Sequence, residues 1–350
     1  VRVMKPSSLL RWFGCLAAMM IAAGAHAQDR FDIEALDTVT SSTGNVLNVF
    51  GGRTLKPGSY ALSLQGSYGR KPLSIEASSG ESLGDLVGSI GTLQLLGAIG
   101  IYKHLEVGLG IPVHRVSAGT TFEAPPPALQ AATMRESKVA FGDIWIVPRA
   151  SLYEHEGPAG FDMAMLASVW LPTGSNANYA GEAVRVEPRV AVDYATRSWL
   201  VAFNAGYMFR SAADLLGSAM DDQLRLGIGA TFDLGKHFTV LGEIDTHLNV
   251  LADDFDSNDV ASEAFAGLRY RAGGLVAQVA GGPGIVRGLS TPMYRMLASI
   301  EVGGAIKQPE EVHESVLDYF DHCAPLPDGT TNPEDRPGCP DVDTDHDGLA

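Results

Sequence analysis

The sequence predicts an all-β fold, a transmembrane up-and-down antiparallel barrel of about 12 strands with an irregular acidic C-terminal tail. Three observations point there. Side chains between residues 58 and 304 alternate apolar and polar with a period of two. The runs have the length of about 9–11 residues that a tilted membrane-crossing strand needs, against about 5–6 for a strand of a soluble sandwich. The connections alternate long and short along the chain, as in barrels with tight turns at one rim and extended loops at the other.

Taken in order, the chain opens with a basic stretch (Arg2, Lys5, Arg11), an apolar run from Trp12 to Ala25, and the small-x-small site Ala25-His26-Ala27. Residues 1–27 therefore read as a secretory signal peptide, with an apolar run too short for a membrane helix. Residues 28–57 show no alternation and are assigned to an N-terminal periplasmic segment. The barrel is expected over 58–304, with strands near 58–69, 90–102, 104–115, 140–153, 160–172, 183–194, 199–210, 222–234, 237–250, 262–271, 274–282 and 293–304. Connections after the odd-numbered strands are long, such as Arg70–Ser89 and Val116–Val139, and those after even-numbered strands are short, such as Gly235-Lys236 and Ala272-Gly273. This pattern places both barrel termini on one side, the periplasm.

The facing of the strands follows from their composition. In the sixth strand Val184, Val186, Pro188, Val190, Val192 and Tyr194 share one face, and Arg185, Glu187, Arg189 and Asp193 share the other. A soluble core would not take those charges, and a solvent face would not take those valines, so the apolar set is expected against lipid. The lumen is then expected to be lined by Arg185, Glu187, Arg189, Asp193, Arg225, Glu243, Asp245 and Arg269, with Arg149, Glu263, Arg271, Arg295 and Glu301 beside them. The signs are mixed, which favours internal ion pairs filling a narrow barrel over the single-sign ring of an ion-selective pore. Aromatic residues at the strand ends, among them Tyr60, Tyr68, Tyr194, Trp199, Phe238, Tyr270 and Tyr294, suit interfacial girdles. Pro188 removes a ladder donor from its strand, so a bulge or local mispairing is expected there.

The charge of the chain divides sharply. Formal net charge is −16, and the stretch from Pro309 to Ala350 holds 12 acids and one base, Arg336, against 29 acids and 24 bases before it. Such acidity argues against a nucleic-acid partner. Of three cysteines, Cys15 lies in the signal peptide, leaving Cys323 and Cys339 in the tail, an even pair that in an exported chain favours a disulfide.

Several segments carry a family likeness: SYGRKPLSI (67–75), LEVGLGIPV (105–113), FGDIWIVPRASL (141–152) and WLPTGSN (170–176). They resemble strand motifs of a proteobacterial, especially myxobacterial, outer-membrane barrel family that is OmpA-like in the broad sense and similar to phenol-degradation-pathway transporters. In that family the barrel leads into acidic thrombospondin type 3-like calcium repeats and then a peptidoglycan-binding domain. The run from Cys339 to Leu349 resembles the start of such a repeat, which implies calcium as cofactor, with Asp341, Asp343, Asp345 and Asp347 as ligands of an incomplete site. The resemblance also implies a Cys323–Cys339 bridge within residues 305–350, the acidic linker. Peptidoglycan would be a partner only through a domain beyond Ala350, and the repeat's interruption there suggests an incomplete gene product.

These readings make the chain an outer-membrane protein of a Gram-negative bacterium, with lipid as its first partner. Its leading expected role is structural envelope anchoring of the OmpA-like kind. A small-solute channel or transporter is the second reading and a surface adhesin the third. An enzyme is not expected: the sequence holds no H-E-x-x-H, G-x-S-x-G or P-loop. Asp143 and Thr173 fall near the long-loop rim, and His247 with Asp245 fits the lumen lining.

Overall fold

The computed structural model describes residues 32–34, 36, 38–76, 82–120, 136–175, 179–215, 218–251 and 259–305. The expected signal peptide and the tail, with Cys323, Cys339, Asp341, Asp343, Asp345 and Asp347, lie outside these residues.

Fifteen strands are present: β1 (Ser59–Glu76), β2 (Ser82–Tyr102), β3 (Leu105–Ala118), β4 (Lys138–Phe141), β5 (Trp145–Tyr153), β6 (Gly160–Trp170), β7 (Arg185–Ala195), β8 (Trp199–Met208), β9 (Ala213–Leu215), β10 (Ser218–Met220), β11 (Gln223–Leu234), β12 (Phe238–Asn249), β13 (Val260–Ala272), β14 (Leu275–Arg287) and β15 (Tyr294–Ala305). Twelve of them close an antiparallel ring: β1 pairs with both β2 and β15, β3 joins β2 to β5, and the rest follow in chain order. The short β4 adds to β3, and β9 with β10 makes a separate hairpin in the long connection between β8 and β11. Closure leaves no exposed edge in the ring, which matters in a medium that cannot hydrogen-bond backbone.

Alternation decides which face each residue takes. Along β7, Arg189 is 4% exposed, and its neighbour Val190 is 40% exposed. The outward set includes Leu62, Leu64, Leu93, Phe203, Ile228, Ile244 and Ile300, all apolar. At the short-turn rim Phe161 meets the Tyr194 ring edge to face, Tyr194 lies beside Trp199, and Phe238 lies against Tyr270 with centroids 5.1 Å apart. At the opposite rim Tyr68 meets Tyr294.

The structure departs from the sequence reading in four places. First, Arg70–Ser89, expected as a loop, is largely strand. The β1–β2 hairpin continues past the rim, with register shifts beginning after Arg70 and Lys71 at φ 51°. It brings Leu73, Leu86 and Val87 into one buried apolar cluster with Ile33, Ile90, Val116 and Met220. Second, the fourth expected strand is interrupted at Gly142-Asp143-Ile144. The sum of paired residue numbers against β3 changes by one between β4 and β5, so one extra residue is accommodated there. Third, Pro188 makes no bulge. Its pairing with β6 is continuous, and on the β8 side the ladder lapses between Arg189↔Gly206 and the bridge Val186↔Phe209 with register unchanged. The ring absorbs the missing donor as a gap in one ladder. Fourth, the described part of residues 28–57 does not form a segment outside the barrel. It runs through the lumen, because the wall buries so many inward polar groups that need partners.

Candidate functional site

The site is the lumen and the chain that fills it. At the long-loop mouth Asp32 bridges to Ala180, and the Ile33 N–H donates to the Tyr179 carbonyl at 3.2 Å. At the other end the Gly58 N–H donates to the Gly100 carbonyl, and Ser59 begins β1 opposite Ala305. The segment thus traverses the barrel from the long-loop rim to the short-turn rim before the chain turns back as wall.

Its mouth end is held by ion pairs. Arg185 donates to Asp32 at 2.9 Å and to Asp143 at 3.2 Å, and lies over the Trp170 ring. Asp143 stands at the interruption between β4 and β5, which aims it inward. Its second oxygen takes the Gly174 N–H, and Thr173 Oγ1 takes the Ile144 N–H at 2.8 Å, so the two rim residues organise the loop after β6. Arg295 contacts Glu34 at 2.6 Å and Glu263 at 3.0 Å. Arg210 pairs with Glu182, and burial lowers its pKa while Glu182 opposes the shift. Burial also pushes the Tyr179 phenol up, which keeps it neutral.

The middle of the segment is held by its backbone. Glu301 accepts the Ser42 N–H at 2.8 Å and its hydroxyl at 2.7 Å. Glu243 accepts the N–H groups of Leu47 and Asn48 at 3.0 Å and Val49 at 3.3 Å, with the Asn48 side-chain amide at 2.5 Å. Arg269 donates to the carbonyls of Ser42, Asn45 and Val46. Asn204 pairs both the N–H and the carbonyl of Phe50, at 2.8 and 2.7 Å. Below it Arg149 donates to the Gly51 carbonyl, and Asp193 accepts the Gly52 N–H at 2.5 Å. Glu106 accepts the Leu55 N–H at 2.7 Å, and Arg53 ends the run in an ion pair with Asp162 at 2.7 Å.

Apolar packing supplements these bonds. Phe50 is 2% exposed among Leu96, Val147, Leu166 and Met208, with the guanidiniums of Arg149 and Arg189 5.5 and 5.6 Å from its ring centroid. Val46, Leu47 and Val49 pack against Leu241, Phe265 and Leu297. Approach is close enough to require glycine. A Cβ on Gly51 would collide with the Gly44 carbonyl, and one on Gly52 with the backbone of Asp162 and Met163.

The residues expected to line the lumen stand at inward positions of their strands, all of them buried except Asp245 and Arg271, which are half-buried, Arg271 at the short-turn rim. Arg189 pairs with Glu187 at 2.7 Å, and Arg225 approaches the same carboxylate at 3.8 Å. His247 contacts Asp245 at 2.5 Å beside a cavity of about 10 Å³ lined also by Leu36, Glu263 and Thr291. That volume is about one water. Wall-to-wall ion pairs therefore account for part of the lining, and the N-terminal segment supplies partners for Glu243, Glu301, Asn204, Arg269 and Asp193.

Sequence reasoning missed the segment, and one signal could have found it. Glu243 stands between Gly229 and Phe265 on the neighbouring strands, and Glu301 between Ser63 and Val276. Neither inward carboxylate has a basic cross-strand neighbour, so donors must come from inside the ring. The Ser/Thr/Asn/Gly-rich run from Thr40 to Asn45 and the apolar Val46, Leu47, Val49 and Phe50 suit that role.

Comparison with known proteins agrees with this architecture. Residues 97–267, just under half of the chain, match the model of a family described as "Putative MetA-pathway of phenol degradation". The match takes in three of the four recognised segments and leaves out the one at 67–75. No curated protein matches the chain in sequence. Among solved structures, an outer membrane channel from Pseudomonas putida F1 superposes with a TM-score of 0.54 at 11% identity, over 72% of this chain and 98% of that one. A KdgM porin gives a TM-score of 0.42 at 10% identity, over 69% and 98%. The chain has the fold of an outer-membrane β-barrel.

Proposed function

We propose that this chain is an outer-membrane channel for a small polar solute, closed in the conformation described by the placed residues between 32 and 58, which lie in its lumen. The observation that carries this reading is how the lumen is filled. Glu243, Glu301, Asp193, Glu106, Arg269 and Arg149 direct their polar atoms at a single traversing segment. A barrel whose wall charges were all neutralised by one another would be permanently solid. Here, displacing one segment would leave a polar passage. The family match over the barrel and the likeness to an outer membrane channel support this reading above the OmpA-like anchoring role. On this reading the long loops face outward and β1 and β15 meet at the periplasmic rim.

Conductance in planar bilayers tests it. The full-length barrel should show low, intermittent current, and a variant lacking residues 32–57 should hold a steady pore. A deletion variant that assembles, by heat-resistant migration, but carries no current would return the protein to a structural role.

A further inference from the structure

The polar groups around Phe50, Gly51 and Gly52 form a particular pattern. Asn204 takes both the N–H and the carbonyl of Phe50. Two residues on, Asp193 takes the Gly52 N–H and Ser151 Oγ donates to the Gly52 carbonyl at 2.8 Å. Between them Arg149 reaches the Gly51 carbonyl from another side. Having the N–H and the carbonyl of both residue i and residue i+2 taken by the wall is the pairing that a neighbouring β-strand offers a peptide, met here by a chain that bends at Gly52. Here three side chains, Ser151 on β5, Asp193 on β7 and Asn204 on β8, supply it in place of a strand. The wall also presents a ring-sized recess, where the guanidiniums of Arg149 and Arg189 flank the Phe50 ring. Two residues past the recess, at Gly52, the wall backbone of Asp162 and Met163 leaves room only for glycine. Some inner groups are still unfilled: the Asp193 Oδ1 and the Arg149 Nε and Nη1 are buried and make no hydrogen bond among the described residues, though the Gly52 N–H reaches the other Asp193 oxygen.

We infer that this stretch of wall is a binding site for short peptides, with a recess for an aromatic side chain followed by small residues, and that Phe50-Gly51-Gly52 occupies it as a built-in substitute. The inference rests on the channel reading and names the solute class for it. A sugar offers hydroxyls but not the paired N–H and carbonyl at a two-residue repeat that Asn204, Asp193 and Ser151 match. Phenol would fill the ring recess and leave Asn204 and Asp193 without partners, at the cost of buried unsatisfied polar groups.

The test uses the variant lacking residues 32–57 and, in parallel, the full-length Gly52→Val chain. The second keeps the segment while forcing it away from Asp162, so it reports even if the deletion fails to assemble. Binding of fluorescently labelled acetyl-Phe-Gly-Gly-amide to each purified barrel in detergent is measured by anisotropy, with unlabelled peptide, raffinose and phenol as competitors. The expected result is saturable binding in at least one of the two, with unlabelled peptide competing at about tenfold lower concentration than raffinose or phenol, and that difference lost in Asn204→Leu. Absence of binding in both barrels, equal competition by raffinose or phenol, or an unchanged preference in Asn204→Leu would overturn the inference. Because binding is read without current, a conducting barrel that ignores peptide sinks this inference alone, and a peptide-binding barrel that never conducts sinks the channel reading alone.

Discussion

The wall and the segment inside it obey opposite rules. The wall is built by periodicity: every second residue turns to lipid, so its structure is written residue by residue in the alternation of Val, Leu and Phe with Arg, Glu and Asn. The segment has no period. Few backbone hydrogen bonds hold it to itself, among them Val39 to Leu47 and Val46 to Val49, and its course is imposed by Glu301, Glu243, Asn204, Asp193 and Glu106. A region that makes its own hydrogen bonds can be read from its sequence. A region that borrows them can be read only through its lender.

Substitutions should separate the two. The largest effect is expected from Glu243→Ala, which strips the acceptor from three consecutive N–H groups and the Asn48 amide. At about 1–3 kcal/mol for each buried donor left unpaired, the hold on the segment should weaken by several kcal/mol. The variant should raise bilayer conductance while the barrel still migrates in its heat-resistant form. Val190→Arg should do the reverse. Its side chain points to lipid, and a charge there costs about 2–4 kcal/mol near the midplane, read as a lowered urea midpoint of the barrel in vesicles with little effect on the segment.

A smaller shift is expected from Arg189→Ala, which removes one of the two guanidiniums over Phe50 and a partner of Glu187. The ring contact contributes on the order of 0.5–2 kcal/mol, so brief openings should become more frequent while assembly stays near normal. If Arg189→Ala abolishes assembly as Val190→Arg is expected to impair it, the division between wall and segment is wrong. The smallest change belongs to Pro188→Val. A restored N–H toward β8 should raise barrel stability by about 0.5–1.5 kcal/mol, measured in the same urea titration, and leave conductance alone.

The extent to which the sequence could be read follows the same division. Strand ends such as Trp199, Phe238, Leu275 and Tyr294 fall within a residue or two of where alternation puts them. Two wall features escaped for local reasons. The β1–β2 hairpin extends past the rim because its apolar residues find Ile33 and Met220 to cover, contacts that alternation does not encode. The interruption at Gly142-Asp143-Ile144 keeps apolar and polar residues in near-alternating order, so only the pairing reveals it. In the lumen, Arg185, Glu187, Arg189 and Asp193 were legible as inward residues because strand period alone fixes facing. Their partners were not, since Asp32, Phe50 and Gly52 come from a part of the chain whose sequence offers no period to follow.

The direction in which the segment runs has a consequence for how the molecule is put together. Residue 32 lies at one rim, residue 58 at the other, and the next residue starts the strand that meets β15. The chain is a needle lying in the eye that its own continuation forms. Drawing a free end through a finished ring would require it to slide the full depth of the barrel past Glu243 and Asp193. Laying the segment down first and zipping β1 to β15 around it requires no sliding. The geometry therefore makes that seam the natural last stitch, and it ties the emptying of the lumen to backing the thread out by the way it never came in.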